Sequence, residues 1–237
     1  MSARHASRRA PPGVIRRALP GLLLAAALPA WALTPAELFA QVAPSVWRVQ
    51  TFDRDGLPLG QGSGVVTGHA ELVTNCHVLA RAQRVQIRRD GLPQPLPARL
   101  ARWDVQRDLC QLSVPGLAAP PVRLGRADQA AVGQAAYTVG HPKGLDLTLA
   151  AGLVSSIRRN DAGQLVLLQT SAAISGGSSG GALFNEQGEL LGLTTLGIFG
   201  ADSQNLNFAI PAEWILDLPR RHEAARAAAR AAAAASR

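Results

Sequence analysis

The chain has 237 residues, 47% of them hydrophobic, with 24 Lys and Arg against 16 Asp and Glu. Five of the basic residues precede residue 33 and five follow residue 219, so 33–219 keeps 14 basic residues and 15 acidic ones. That near-neutral body removes the main electrostatic support for nucleic-acid binding, and two cysteines are too few for a disulfide scaffold.

The N-terminus places Arg4, Arg8, Arg9, Arg16 and Arg17 before the apolar run Leu19 to Ala30, and small residues follow in "AWA". This pattern predicts a secretory signal over 1–32, cleaved after Ala32. The run is short for a membrane span, so no stable membrane insertion is expected after cleavage. The alternative is a retained anchor. The Arg pairs invite a twin-arginine reading, but no apolar run follows "SRRAPP" directly. Export predicts a periplasmic or secreted protein, with Cys76 and Cys110 in a compartment that permits pairing.

"TPAELFAQV" predicts a short helix, with Thr34 and Glu37 as a capping box and Pro35 in the first turn. Short runs follow, broken by Gly, Pro, Asp and Asn, among them "SVWRVQT", "GSGVV", "ELVT", "RVQIRR", "LCQLSV", "AAYTVG", "TLAAGLVSSI", "LVLLQT", "LLGLTT" and "LNFAI". None is long enough to demand a helix, so the body is predicted all-β, a sandwich or barrel. "GLPQPLP" reads as a turn region, and 114–121 as a linker between two β halves. "PAEWILDL" predicts a closing helix. The tail 220–237 is Ala- and Arg-rich with no large apolar face, and reads as a solvated helix.

"SGGSSGGAL" (Ser175 to Leu183) has linker composition, yet buried-strand patterns flank it on both sides. A Gly and Ser knot in that position suits a turn that brings backbone N–H groups to one point. Nucleophilic serine chemistry needs a base, a carboxylate that orients the base, and donors for the oxyanion. The stretch fits G-x-S-x-G, but the α/β-hydrolase elbow needs a helix after the serine and a downstream histidine. "ALFNEQGELLGL" reads as strand, turn, strand, and only His222 follows. The base must then lie upstream. His77 follows an apolar strand directly, whereas His69 and His141 sit in turns and read as solvated. By order Asp90, Asp104, Asp108, Asp128, Asp146 and Asp161 all qualify as the carboxylate. Asp108 opens the alternating strand "DLCQLSV" and is the preferred one.

On these residues the chain resembles trypsin-like serine peptidases, in particular the bacterial HtrA/Deg-like branch. "GQGSGVV", "LVTNCHV", "DLCQL", "VGHPKGL", "GLVSSI", "QTSAAISGGSSGGALFNEQGELLGL" and "LNFAIP" appear in the family's order, between about Val42 and Pro211. The resemblance implies two chymotrypsin-like six-stranded antiparallel β-barrels over 33–219, with the site in the cleft between them. It implies a serine endopeptidase with His77 as general base, Asp108 as its orienting carboxylate and Ser179 as nucleophile. The backbone N–H groups of Gly177 and Ser179 form the implied oxyanion hole. No cofactor or metal is implied. Protein or peptide substrates are, and homo-oligomers occur in this branch. Ile174, Thr195 and Gly197 are implied to line the primary pocket. None is charged, so a small or medium aliphatic residue is expected before the scissile bond.

If His77 and Asp108 meet, their neighbours Cys76 and Cys110 are close, and a disulfide between them is expected. Ser178 stands where digestive relatives carry an Asp that pairs with a new N-terminus, so zymogen-type activation is not expected. Ser171 stands where the HtrA branch carries Asp, which bears on how the loop is held. No PDZ domain is expected after Pro211. The alternative function is a trypsin-fold binding or scaffold protein without catalysis, against which the intact His77, Asp108 and Ser179 argue.

Overall fold

In the computed structural model the described residues are 32–197 and 205–235. The predicted signal lies outside them apart from Ala32. Helix α1 (Pro35–Val42) starts as its sequence predicts: the Thr34 hydroxyl accepts from the Glu37 N–H at 3.3 Å, and the Thr34 N–H donates back to the Glu37 carboxylate at 2.9 Å.

The first barrel comprises β1 (Val46–Phe52), β2 (Pro58–Gly68), β3 (Glu71–Thr74), β4 (Arg84–Arg88), β5 (Leu96–Asp104) and β6 (Leu109–Ser113). They close in the order β1-β2-β3-β6-β5-β4. After a crossing segment come β7 (Arg123–Leu124), β8 (Ala135–Gly140), β9 (Thr148–Arg159), β10 (Leu165–Thr170), β11 (Ala182–Phe184), β12 (Glu189–Gly197) and β13 (Asn207–Pro211). The six from β8 onward pair antiparallel around a second ring, β8-β9-β10-β13-β12-β11, and β7 adds in parallel to β12. Closure leaves few free sheet edges, which is why so many short strands make a stable body.

Strand β5 is absent from the apolar runs read in the sequence. It carries Arg99 and Arg102 on its outward positions, and Ala98 is its one buried apolar residue. It also starts inside the Pro-rich stretch. Pro97 pairs with Gln86 of β4, and pairing with β6 begins only at Arg99, so the proline has a partner strand on one side alone.

Each barrel has its own core: Val49, Val66, Leu72, Ile87 and Leu112 in the first, Val154, Leu168, Leu183, Leu191 and Ala209 in the second. A third cluster joins Val65, Val73 and Leu109 of one barrel to Val139, Phe184, Leu193 and Ile210 of the other, under Leu38 and Val42 of α1. Each such buried side chain contributes about 1.5–3 kcal/mol. The two barrels thereby share an apolar seam.

Helix α2 (Trp214–Ala235) continues from the closing segment into the Ala- and Arg-rich tail, with Pro219 in its second turn. It docks on the first barrel through a narrow stripe. Leu218 and His222 are buried, and His222 meets Trp103 edge to face with centroids 4.2 Å apart. Arg107 bonds Asp217 at 2.9 Å and lies over the Trp214 ring, while Arg221 pairs with Asp104. From Glu223 to Ala234 the helix is exposed, as the tail's composition suggests.

Candidate active site

His77 sits on a single helical turn, Cys76–Leu79, that follows β3 directly. Asp108 ends the turn Val105–Arg107 and precedes β6 with φ +53°. Left-handed backbone is costly for most side chains and least so for Asp and Asn. Strands β3 and β6 pair Thr74 with Cys110, which brings the two segments together. The Asp108 carboxylate accepts from His77 Nδ1 at 2.7 Å and from the His77 backbone N–H at 2.9 Å. Its carbonyl accepts from Asn75 Nδ2 at 3.0 Å and from the Cys76 N–H at 3.3 Å. A Cys76–Cys110 disulfide, with Cα atoms 4.9 Å apart, closes the same junction from behind.

Ser179 comes from the other barrel, on the loop between β10 and β11. The backbone there needs glycine at two points. Gly177 has φ +92°, and a Cβ on it would lie 2.6 Å from the His141 carbonyl. Gly180 has φ +82°, and a Cβ on it would lie 2.2 Å from the Ser63 carbonyl. This close approach, not flexibility, accounts for the linker-like composition. The Ser63 N–H donates to the Ser179 carbonyl at 2.8 Å and the Ser63 hydroxyl to the Gly177 carbonyl at 2.9 Å, so barrel one grips the loop of barrel two.

Neither the Gly177 N–H nor the Ser179 N–H has a hydrogen-bond partner among the described residues, whereas the carbonyl of each one's own peptide plane is engaged. Gly176 O accepts from the Lys143 N–H at 2.5 Å. Ser178 O accepts from the Thr194 hydroxyl at 2.6 Å and the Gly181 N–H at 2.9 Å. His77, Ser179 and Gly177 all line one cleft of about 300 Å³, together with Thr51, Leu59, Gly60, Gln61, Val78 and Ala80.

The Ser179 hydroxyl donates to the Thr195 carbonyl at 2.9 Å and makes no hydrogen bond to His77 in this arrangement. Nucleophile–base bonds are commonly long or unformed before substrate arrives.

The trypsin-like peptidase domain model matches residues 62–193, more than half of the chain. The chain belongs to the trypsin-like peptidases. It is 36% identical over 169 residues to a probable periplasmic serine endoprotease DegP-like of Ectopseudomonas mendocina, covering 70% of this chain and 35% of that protein. It is 34% identical over 160 residues to the putative serine protease HhoB of Synechocystis, covering 64% and 38%. It thus spans well under half the length of these relatives. Among solved structures, the HtrA-type protease AlgW with tripeptide aligns with TM-score 0.68 at 33% identity, covering 77% of this chain and 61% of that one. Deg5 aligns with TM-score 0.65 at 29% identity, covering 77% and 90%.

Within this trypsin-like peptidase frame, Thr195 does more than sequence reasoning assigned. Its hydroxyl donates to Asp108 at 3.0 Å and its carbonyl takes the Ser179 hydroxyl, so it touches both partners while nearly buried. Ile174 is buried beside the loop, and Gly197 pairs with Asn207 across β12 and β13. Ser175 and Ser178 close a turn, Ser178 N–H to Ser175 O at 2.9 Å, and Ser178 faces inward. The Ser171 hydroxyl accepts the Leu153 N–H at 3.0 Å. A hydroxyl acceptor thus holds the start of the loop against β9. No sequence period marks these hydroxyl-to-backbone contacts.

The exposed His69 fits its solvated-turn reading, but His141 does not. It is 1% exposed, its N–H donates to the Ser63 hydroxyl at 2.9 Å, and Nδ1 faces the Leu145 carbonyl at 3.2 Å. The turn is covered by the first barrel, where Arg48 also donates to Leu145 O at 3.0 Å. Burial, with Arg48 adding to it, holds the His141 pKa below the ordinary histidine value despite the Leu145 bond. The fold therefore favours neutral His141. The stability this contributes is present above the unfolded pKa of about 6.5 and is lost as pH falls through it toward the folded value. Urea midpoints should fall between neutral and mildly acidic pH, and fall less steeply in His141→Gln; equal slopes would contradict this.

Proposed function

We propose that the chain is an exported serine endopeptidase acting through His77, Asp108 and Ser179. The carrying observation is that His77, bonded to Asp108 behind it, lines one cleft with Ser179 and Gly177, whose N–H groups have no partner among the described residues. Each group has a role in peptide hydrolysis. The Ser179 hydroxyl attacks the scissile carbonyl while His77 Nε2 takes its proton. Asp108 holds the tautomer with the proton on Nδ1 and stabilises the imidazolium that forms. The Gly177 and Ser179 N–H groups receive the oxyanion, a contribution of about 3–4 kcal/mol per donor in comparable sites. The imidazolium returns its proton to the leaving amine. Water then repeats the sequence on the acyl-enzyme, with His77 again as base, and frees the acid.

Export rests on the predicted signal over 1–32, with 33–219 as the peptidase body and 220–237 as the tail. The periplasmic description of the DegP-like relative agrees with it. We read the primary pocket as uncharged, from Ile174, Thr195 and Gly197, of which Thr195 meets the Ser179 hydroxyl. A small or medium aliphatic residue is then preferred before the scissile bond. Purified mature protein should hydrolyse an unstructured protein substrate. Its cleavage profile on an unbiased peptide library should favour Ala, Val, Ile or Leu at that position. Cleavage dominated by Lys or Arg would overturn the specificity, and a folded protein that hydrolyses nothing would favour the scaffold reading.

A further inference from the structure

We infer that Thr194 is a positioning residue for the nucleophile loop, its hydroxyl setting the direction of the Ser179 N–H through the Ser178 carbonyl; this rests on the function proposed above. A peptide unit is planar, so fixing the carbonyl of residue 178 fixes the N–H of residue 179 on its opposite side. Two donors hold that carbonyl. The Gly181 N–H, at 2.9 Å, belongs to the loop itself and moves with it. The Thr194 hydroxyl, at 2.6 Å, comes from outside the loop.

Thr194 is a firm reference point. It lies in β12, paired to β13 on one side and beside β11 on the other. Its N–H donates to Gly181 O at 2.9 Å and its carbonyl accepts from the Gly180 N–H at 2.7 Å. It is fully buried, and a β-branched side chain is stiff about χ1.

Behind Ser178 lies a cavity of about 130 Å³, lined by Thr138, Thr148, Ala173, Ser175 and Ser178, with Thr194 on its wall. The Ser178 side chain offers only a 3.4 Å contact to the Ser175 N–H. Rotation of the peptide toward this cavity would break the bond from the Thr194 hydroxyl, which therefore opposes it. The other oxyanion donor differs, since the Gly176 carbonyl is held by a backbone N–H, that of Lys143. Thr194 is therefore the point at which one side-chain atom controls the oxyanion hole.

Thr194→Val removes the hydroxyl and keeps the shape. It should lower kcat by about 10-fold or more, short of the 10²–10³ lost when a donor is deleted outright. KM for the same peptide should stay within twofold, about the scatter of such measurements. Affinity for a peptide aldehyde, whose hemiacetal oxygen needs the hole, should fall in parallel with kcat, while affinity for the product peptide should not. Thr194→Ser should restore kcat. A crystal structure of Thr194→Val should show the Ser178 carbonyl turned toward the cavity, which tests the inference even if the wild type proves inactive. An unchanged peptide plane, a kcat within twofold of wild type, or a loss confined to KM would each overturn it.

Discussion

Asp108→Asn should lower kcat by about 10⁴-fold at neutral pH while leaving the protein folded. The carboxylate accepts three hydrogen bonds, two from His77 and one from the Thr195 hydroxyl. An amide keeps one acceptor oxygen, which can serve the His77 backbone N–H. Its NH₂ then faces His77 Nδ1 as a donor. The imidazole must answer with a lone pair on Nδ1, placing its proton on Nε2, where a base is required. The substitution is also conformationally clean. The φ of +53° at Asp108 suits Asn as well as Asp, so strain does not confound the measurement. Steady-state kinetics beside far-UV circular dichroism check it. A folded variant within tenfold of wild type would show that the pair does not act as proposed.

Removing the disulfide, as Cys76→Ser with Cys110→Ser, should cost about 3–4 kcal/mol of stability on the chain-entropy account. The crosslinked cysteines are 34 residues apart, long enough for loop closure in the unfolded chain to dominate. For a body of this size the melting temperature should fall by on the order of 10 °C. Activity well below the transition should suffer far less than in the Asp108 variant. The Asn75, Cys76 and His77 donors still hold Asp108 against the histidine segment. Calorimetry of the double variant and of reduced wild type checks this, and melting curves that overlay the oxidised protein would contradict it.

What could be read from the sequence follows from where physics writes itself locally. The α1 cap, the alternating strands and the glycines around Ser179 each have a short-range cause, and each could be read from a few neighbouring residues. Strand β5 was hidden because Pro97 stands near its start and Arg99 and Arg102 break its apolar pattern. Asp108 is preferred among six aspartates for the strand that it opens, and the family resemblance adds its role. Its left-handed backbone and its contact with Thr195, 87 positions away, leave no period to detect. The burial of His141 depends on Ser63 and Arg48 from the other barrel, and that again has no local trace. The docking stripe of α2 did leave one. Trp214, Leu218 and His222 recur every four residues, a face too narrow to register in an alanine-rich tail.

The claim that Ser179 is an activated nucleophile is tested most directly with a fluorophosphonate. The probe bonds covalently to a serine whose base and oxyanion donors are in place. Native mature protein should acquire a single adduct, localised to Ser179 by fragment-ion mass spectrometry and absent from Ser179→Ala. Correctly folded protein that stays unlabelled, or an adduct on Ser175 or Ser178 instead, would contradict the account.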